Sequence, residues 1–330
     1  IGRVTADYAL SCGGESAPLD AVQDAWEATL EPVMPELSAH GQGSGRVKKL
    51  ACTAVSRPAP AVKSARPRAL IPVFPGTNCE YDTARALLRA GAEPEILVIR
   101  NLSPADVAES VERVAAAIAR SQMIVLPGGF SGGDEPDGSA KLIASFFRSP
   151  RLADAVQELL DARDGLMLGI CNGFQALIKL GLVPFGRIVE TDANCPTLTY
   201  NAIGRHQSRL VRTRVASDLS PWLSRCRVGD IHTVAVSHGE GRFVCPEPLL
   251  TQLAQRGQLA TQYVDLEGEP TMELRYNPNG SVLAVEAVCS PDGRVLGKMG
   301  HTERSGAGLY QNVPGAGLQP VFESGVDYFR

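Results

Sequence analysis

Leu166-Met167-Leu168-Gly169-Ile170-Cys171-Asn172-Gly173-Phe174-Gln175 passes from an apolar run, through a cysteine among small residues, into a helical pattern reaching about Leu180. Such a run is the signature of a strand buried on both faces. The turn after it must be tight, and small neighbours suit a tight, strained backbone. A cysteine on a strand–turn–helix corner is the sulfur version of the G-x-S-x-G nucleophile elbow. At the start of the following helix, free N–H groups and the helix dipole favour thiolate over thiol. The N–H of Asn172 can point at a developing oxyanion. The plainer reading of the same residues is a buried structural cysteine at a strand end.

Upstream of this corner, strands and helices alternate. Ala69–Phe74 reads as a buried strand, although Pro72 argues against a central place. A helix follows over about 82–90, with Gly91 as its cap. Glu95–Ile99 is a second strand. Ser103-Pro104-Ala105-Asp106 then supplies an N-cap, a proline at the first helical position and an acidic residue at the third. Val107, Val111, Val114 and Ile118 mark the helix it opens, and Met123–Leu126 is the third strand. Helical patterns over 139–147 and 151–161 precede Leu166–Ile170. This alternation implies an α/β fold with a parallel sheet flanked by helices, in which sites collect at the carboxyl ends of strands. Residues 182–300 hold shorter strands, such as Val234–Val236 and Val282–Val285, which extend that sheet or add an antiparallel one.

A thiol nucleophile needs a proton shuttle. The histidines are His40, His206, His232, His238 and His301. His301 is followed by Thr302 and Glu303, and it comes directly after the strand-like run Gly293–Met299. In an extended segment, residues 301 and 303 share a side, so the carboxylate can orient the imidazole. A surface His-x-Glu pair with no role is the alternative. Gly128-Gly129-Phe130-Ser131-Gly132-Gly133-Asp134 follows the third strand and implies close backbone approach. It can donate a second oxyanion N–H. As a phosphate loop it fails, because no Lys-Ser or Lys-Thr follows the glycines, and G-x-G-x-x-G is absent. His238 and Glu240 do not make a metal site by themselves. Cys79 and Cys195 have no partner nearby in sequence, and His206 sits in a basic turn with Arg205 and Arg209.

The chain has 330 residues and a net charge of −4, which argues against a globally basic nucleic-acid binder. No apolar run is long enough to cross a membrane, and no secretory signal is evident. The eight cysteines include no C-x-x-C pair, so reduced thiols in a cytoplasmic protein are expected. The chain opens with Ile1-Gly2 rather than Met, as a fragment or processed product would. Residues 1–36 are acidic apart from Arg3, and Leu19, Val22, Trp26 and Leu30 share one helical face. One such helix makes no core, so this segment reads as the tail of a preceding domain. Residues 37–68 hold basic groups and no acidic one, with Gly41-Gln42-Gly43-Ser44-Gly45 and three prolines, and read as a linker. The main domain is expected over 69–330.

Five motifs in order carry a family resemblance: Gly-Ile-Cys-Asn-Gly-Phe-Gln (169–175), Gly-His-Thr-Glu-Arg (300–304), Gly-Gly-Phe-Ser-Gly-Gly-Asp (128–134), Val-Ser-His-Gly-Glu-Gly-Arg (236–242) and Asn-Pro-Asn-Gly-Ser (277–281). The first two resemble class I (triad) glutamine amidotransferases, which have a flavodoxin-like fold. The full set is similar to the glutaminase domain of phosphoribosylformylglycinamidine synthase, over about residues 69–330, and residues 1–36 resemble the end of that enzyme's synthetase region. The resemblance implies that Cys171 attacks the amide of L-glutamine, that His301 shuttles the proton, and that Glu303 holds His301. It implies an oxyanion hole from the N–H groups of Gly129 and Asn172, and glutamine contacts at Gln175, Ser237 and Gly239. A thioester at Cys171 would be hydrolysed to glutamate. The ammonia would serve the ATP- and Mg2+-dependent formation of formylglycinamidine ribonucleotide by the synthetase region.

No ATP-binding synthetase region is assigned within this sequence, so by itself it would be at most a glutaminase. No cofactor or metal is implied for it, and neither membrane nor nucleic acid is an expected partner. Ser131-Gly132-Gly133 stands where some relatives carry a bulkier central residue, and Thr302 where many carry Pro. Rival readings are another class I amidotransferase, a cysteine hydrolase on the same scaffold, and a non-catalytic glutamine-binding module.

Overall fold

The computed structural model describes residues 2–33, 45–54, 56–131, 139–306, 308–313 and 318–330. His40 and residues 132–134 of the glycine loop lie outside these. The chain divides into units 1–42 and 43–330. In the first, β1 (Ala9–Cys12) and β2 (Glu15–Pro18) pair antiparallel, and the helix Leu19–Glu27 follows. None of that helix is buried, and Trp26 on its apolar face is 77% exposed.

The second unit is built on a nine-stranded sheet. Its strands are β3 (Arg68–Val73), β4 (Glu93–Val98), β5 (Met123–Leu126), β6 (Leu166–Ile170) and, past a short β7 (Thr197–Tyr200), β8 (Gln207–Val215) and β9 (Ile231–His238). After β10 (Glu240–Val244) come β11 (Leu259–Val264), β12 (Val285–Cys289) and β13 (Val295–Lys298). The order is β4-β3-β5-β6-β13-β12-β11-β8-β9, and β7 and β10 form a separate ribbon. Strands β4, β3, β5, β6 and β13 run parallel; β12, β11, β8 and β9 continue the same sheet antiparallel. Every residue of β5 and β6 is buried, as their unbroken apolar sequences require. The expected α/β architecture is therefore borne out, with 182–300 extending the sheet.

Local signals act as their chemistry directs. Ser103 caps the helix Pro104–Arg120: its Oγ accepts the Asp106 N–H at 3.2 Å and donates to Asp106 Oδ2 at 2.8 Å. Gly91, at φ 94°, closes the helix Glu80–Ala90.

Three expectations are corrected. β3 lies inside the sheet despite Pro72, because its ladder to β5 covers only Ala69 and Leu70 and ends before the proline needs an N–H. Val282–Ala284 is a 3₁₀ turn with Leu283 and Ala284 at φ 50° and 55°, and the strand begins only at Val285. The supposed linker 37–68 is in part docked onto the sheet unit. Leu50 is buried, its N–H donates to Gln262 Oε1 at 2.9 Å, and its carbonyl accepts from Arg214 at 2.7 Å. Arg57 pairs with Asp218 at 2.8 Å. A segment without regular structure can still be held this way, because side chains satisfy its backbone groups.

The helix Asn172–Leu180 lies directly against the strands. A Cβ on Gly173 would come 2.0 Å from the Leu126 carbonyl oxygen. Gly173→Ala is therefore expected to destabilise the fold by about 1–3 kcal/mol, read as a lower urea midpoint at unchanged m-value. An unchanged midpoint would refute the close approach.

Candidate active site

Cys171 stands one residue past β6, with its N–H donating to the Lys298 carbonyl at 2.8 Å. Its backbone is at φ 52°, ψ −105°, a region that costs a non-glycine residue of order 1–3 kcal/mol. The corner tolerates no side chain at Gly169, where a Cβ would lie 2.6 Å from the Gly173 carbonyl. Cys171 is 4% exposed, and its thiol donates to the Ser237 carbonyl at 3.7 Å.

His301 follows β13, whose parallel pairing sets Lys298 opposite Ile170. Its N–H donates to Ala235 on β9 at 2.8 Å, and its Nδ1 lies 2.6 Å from Glu303 Oε1. Both side chains are buried. A Cβ on Gly128 would meet His301 Cε1 at 2.7 Å and Cys171 Cβ at 3.5 Å, so the imidazole and the cysteine share one small space at the end of β5. Burial opposes charge on His301, but the Glu303 carboxylate and then Cys171 outweigh it and hold the imidazole well above its ordinary value. Burial likewise opposes charge on Glu303, yet His301, with help from Lys298, keeps the carboxylate below its usual range.

Gly129, at φ 139°, faces Thr77 between two flanking bonds, Phe130 N–H to Gly76 O at 2.8 Å and Asn78 N–H to Gly128 O at 3.3 Å. Among the described residues, neither the Gly129 nor the Asn172 N–H donates to another group. The Asn172 side chain couples their two segments: its Oδ1 accepts from Ser131 Oγ at 2.6 Å, and its Nδ2 donates to Gln175 Oε1 at 2.9 Å. Gln175 Nε2 donates to the Glu240 carbonyl. The side-chain amide of Gln175 is thus engaged at both ends within the protein.

Ser237 and Gly239 lie at the turn from β9 to β10. Asn201 pins that turn: its N–H donates to Gly239 O at 2.9 Å and its Nδ2 to His238 O at 2.7 Å, while its Oδ1 faces His238 Nδ1 at 3.0 Å. His206 Nε2 lies 3.0 Å from Ser237 Oγ. Burial, with His301 and His206 nearby, pushes His238 down to about 3, so this imidazole is neutral.

A family model described as a CobB/CobQ-like glutamine amidotransferase domain matches residues 66–329. The chain belongs to this glutamine amidotransferase family. The phosphoribosylformylglycinamidine synthase subunit PurQ of Methanococcus maripaludis is 33% identical over 242 residues, covering 72% of this chain and 82% of that protein. PurQ of Chlorobium chlorochromatii is 35% identical over 256 residues, covering 76% and 93%. Among solved structures, PurLQS from Thermotoga maritima superimposes with a TM-score of 0.58 at 25% identity, covering 80% of this chain and 100% of that one. The narrower resemblance, to phosphoribosylformylglycinamidine synthase, is borne out with the family.

Beside these residues stands one that sequence reasoning passed over. Cys79 is fully buried after β3, 3.9 Å from His301 Nδ1, and its sulfur accepts from Arg304 Nη2 at 3.0 Å. Its place beyond the carboxyl end of a parallel strand was the available signal. Cys79, His301 and Glu303 set donor atoms within 4.8 Å of one another. A cation there would meet the Arg304 guanidinium and displace the proton that His301 and Glu303 share, so these three side chains suit proton transfer better than metal binding. Among the described residues, no helix is long and apolar enough to cross a membrane.

The two site histidines bear oppositely on stability. The folded chain withholds from His238 the proton that the unfolded chain takes up near 6.5, so this contribution is lost as pH falls from about 6.5 toward about 3. The His301 contribution is present below about 6.5 and is lost as pH rises through its higher folded value. In an imidazole-resolved NMR titration, His301 is expected to stay protonated above pH 6.5, and His238 neutral down to about pH 3. A His238 that titrates near 6.5 would show the turn to be open to water.

Proposed function

We propose that this amidotransferase hydrolyses L-glutamine at Cys171 and supplies ammonia to a synthetase partner that makes formylglycinamidine ribonucleotide. The observation that carries the reading is the buried 2.6 Å His301–Glu303 pair beside a cysteine on a strained elbow. Cys171 Sγ attacks the side-chain carbonyl carbon of glutamine with its proton held on His301, whose charged imidazole is kept so by Glu303. Charge on the carbonyl oxygen is met by the N–H groups of Gly129 and Asn172. His301 returns the proton to the departing nitrogen, and ammonia leaves a γ-glutamyl thioester. Water, deprotonated by His301, cleaves the thioester to glutamate and restores Cys171. Glu303 holds the Nδ1 proton and orients the ring throughout.

Ser237, whose carbonyl faces the thiol, and Gly239 in the same turn contact the substrate there. Gln175 supports the elbow through Asn172 rather than reading glutamine with its own amide. The synthetase assignment draws on the names of the PurQ relatives and of the PurLQS structure. ATP and Mg2+ act in that partner, where the amide oxygen of the nucleotide substrate is activated.

A glutamine-mimicking diazoketone is expected to alkylate Cys171 alone, read by mass spectrometry of the peptide carrying 169–175. Cys171→Ala should abolish both the adduct and ammonia release. Glu303→Gln should keep the fold and lower kcat by about 10³- to 10⁴-fold, as loss of an imidazole-orienting carboxylate does elsewhere. Ammonia release that survives Cys171→Ala would sink the reading.

A further inference from the structure

Beneath the His301–Glu303 pair lies a second pair of ionisable groups that the mechanism above leaves unused. Lys298, at the end of β13, and Glu286, in β12, are both fully buried (0% exposed). Lys298 stands in the apolar run Val295–Met299, where an aliphatic side chain would satisfy packing. Replacing a buried ion pair by apolar residues is often neutral or stabilising, so stability alone is a weak reason for this one.

The geometry supplies a better reason. Lys298 Nζ donates to the Gly300 carbonyl at 2.6 Å and to Thr302 Oγ1 at 2.8 Å, and lies 3.4 Å from Glu286 Oε1. The same Glu286 oxygen accepts the Gly300 N–H at 2.7 Å, and Thr261 Oγ1 donates to the other carboxylate oxygen. Thr302 Oγ1 in turn donates to Gln319 Oε1 at 2.7 Å. Gly300 and Thr302 are the two neighbours of His301. The residue before His301 is therefore gripped at its N–H by the anion and at its carbonyl by the cation, and the residue after it is gripped by the same cation. Gly300 itself leaves no slack, since a Cβ there would lie 3.0 Å from both Glu286 Oε1 and Lys298 Nζ.

We propose that the buried Lys298–Glu286 pair is the positioning element that holds His301 and Glu303 against Cys171, acting on turnover and not on glutamine binding. The proposal rests on the glutaminase reading above. Lys298 touches no reacting atom; it acts through the Gly300 main chain before His301 and the Thr302 hydroxyl after it.

The test is steady-state glutaminase kinetics of the full-length enzyme, comparing wild type with the double variant Lys298→Met/Glu286→Gln. Lys298→Met alone would strand a buried carboxylate and lose stability for that reason. In the double variant Met fills the lysine's space, Gln can still accept the Gly300 N–H, and no charge is left unpaired. The expected result is a melting temperature within a few degrees of wild type, a KM for glutamine within about 3-fold, and a kcat lowered about 10- to 100-fold, the scale of a displacement near 1 Å. A double variant with wild-type kcat would overturn the proposal. So would one that fails to fold, or whose kcat falls only as far as its folded fraction, because the pair would then be structural. Wild-type enzyme that releases no ammonia from glutamine would instead remove the glutaminase reading, and this proposal with it.

Discussion

The site depends on the parallel pairing of β6 with β13. Cys171 and His301 lie far apart in sequence, and the register that sets Ile170 opposite Lys298 brings the ends of their strands together. The bond from Cys171 N–H to the Lys298 carbonyl extends that register by one residue, into the elbow itself. A slip of one residue would turn every side chain of β13 to the other face of the sheet. Such a slip would put a side chain where Gly297 passes Phe174, 2.0 Å from its ring at the Cβ, and would strip the buried Lys298 of its partners, so close packing and buried polar groups enforce catalytic geometry.

On this frame the site gathers four buried ionisable groups: His301, Glu303, Lys298 and Glu286. Burial opposes charge on His301 and Glu303, and each is kept charged by the other. His238 illustrates the alternative. It is as deeply buried, has no acidic partner, and gives up its charge. The contrast separates a histidine available for proton transfer from one that braces a turn, although the two lie close enough for charge on one to oppose charge on the other.

Local chemistry was legible wherever neighbours in sequence are also neighbours in space. The Ser103 cap, the Gly91 helix stop and the elbow glycines could be read directly, because each acts within a few residues of itself. His301 and Glu303 were legible for the same reason, standing two residues apart in an extended segment. The misreadings involve partners far along the chain. Pro72 gave a warning that the short β5 ladder makes irrelevant, and the glycine- and proline-containing segment before β3 gave no sign that Gln262 and Arg214 would hold it. Cys79 looked isolated because its partners, His301 and Arg304, belong to the other end of the chain.

Residue type and spacing along the chain by themselves determined the alternating strands and helices, the elbow cysteine, the His-x-Glu pair and, through the ordered motifs, the glutamine amidotransferase family. Those properties arise from backbone propensity, apolar periodicity and side chains a few residues apart. Only the tertiary structure decided that β12, β11, β8 and β9 continue the same sheet, that Cys79 and Arg304 flank His301, and that a buried Lys298–Glu286 pair grips the Gly300 main chain and the Thr302 hydroxyl on either side of it. Those contacts are set by strand register and by the need of each buried polar group for a partner, which can come from any part of the chain.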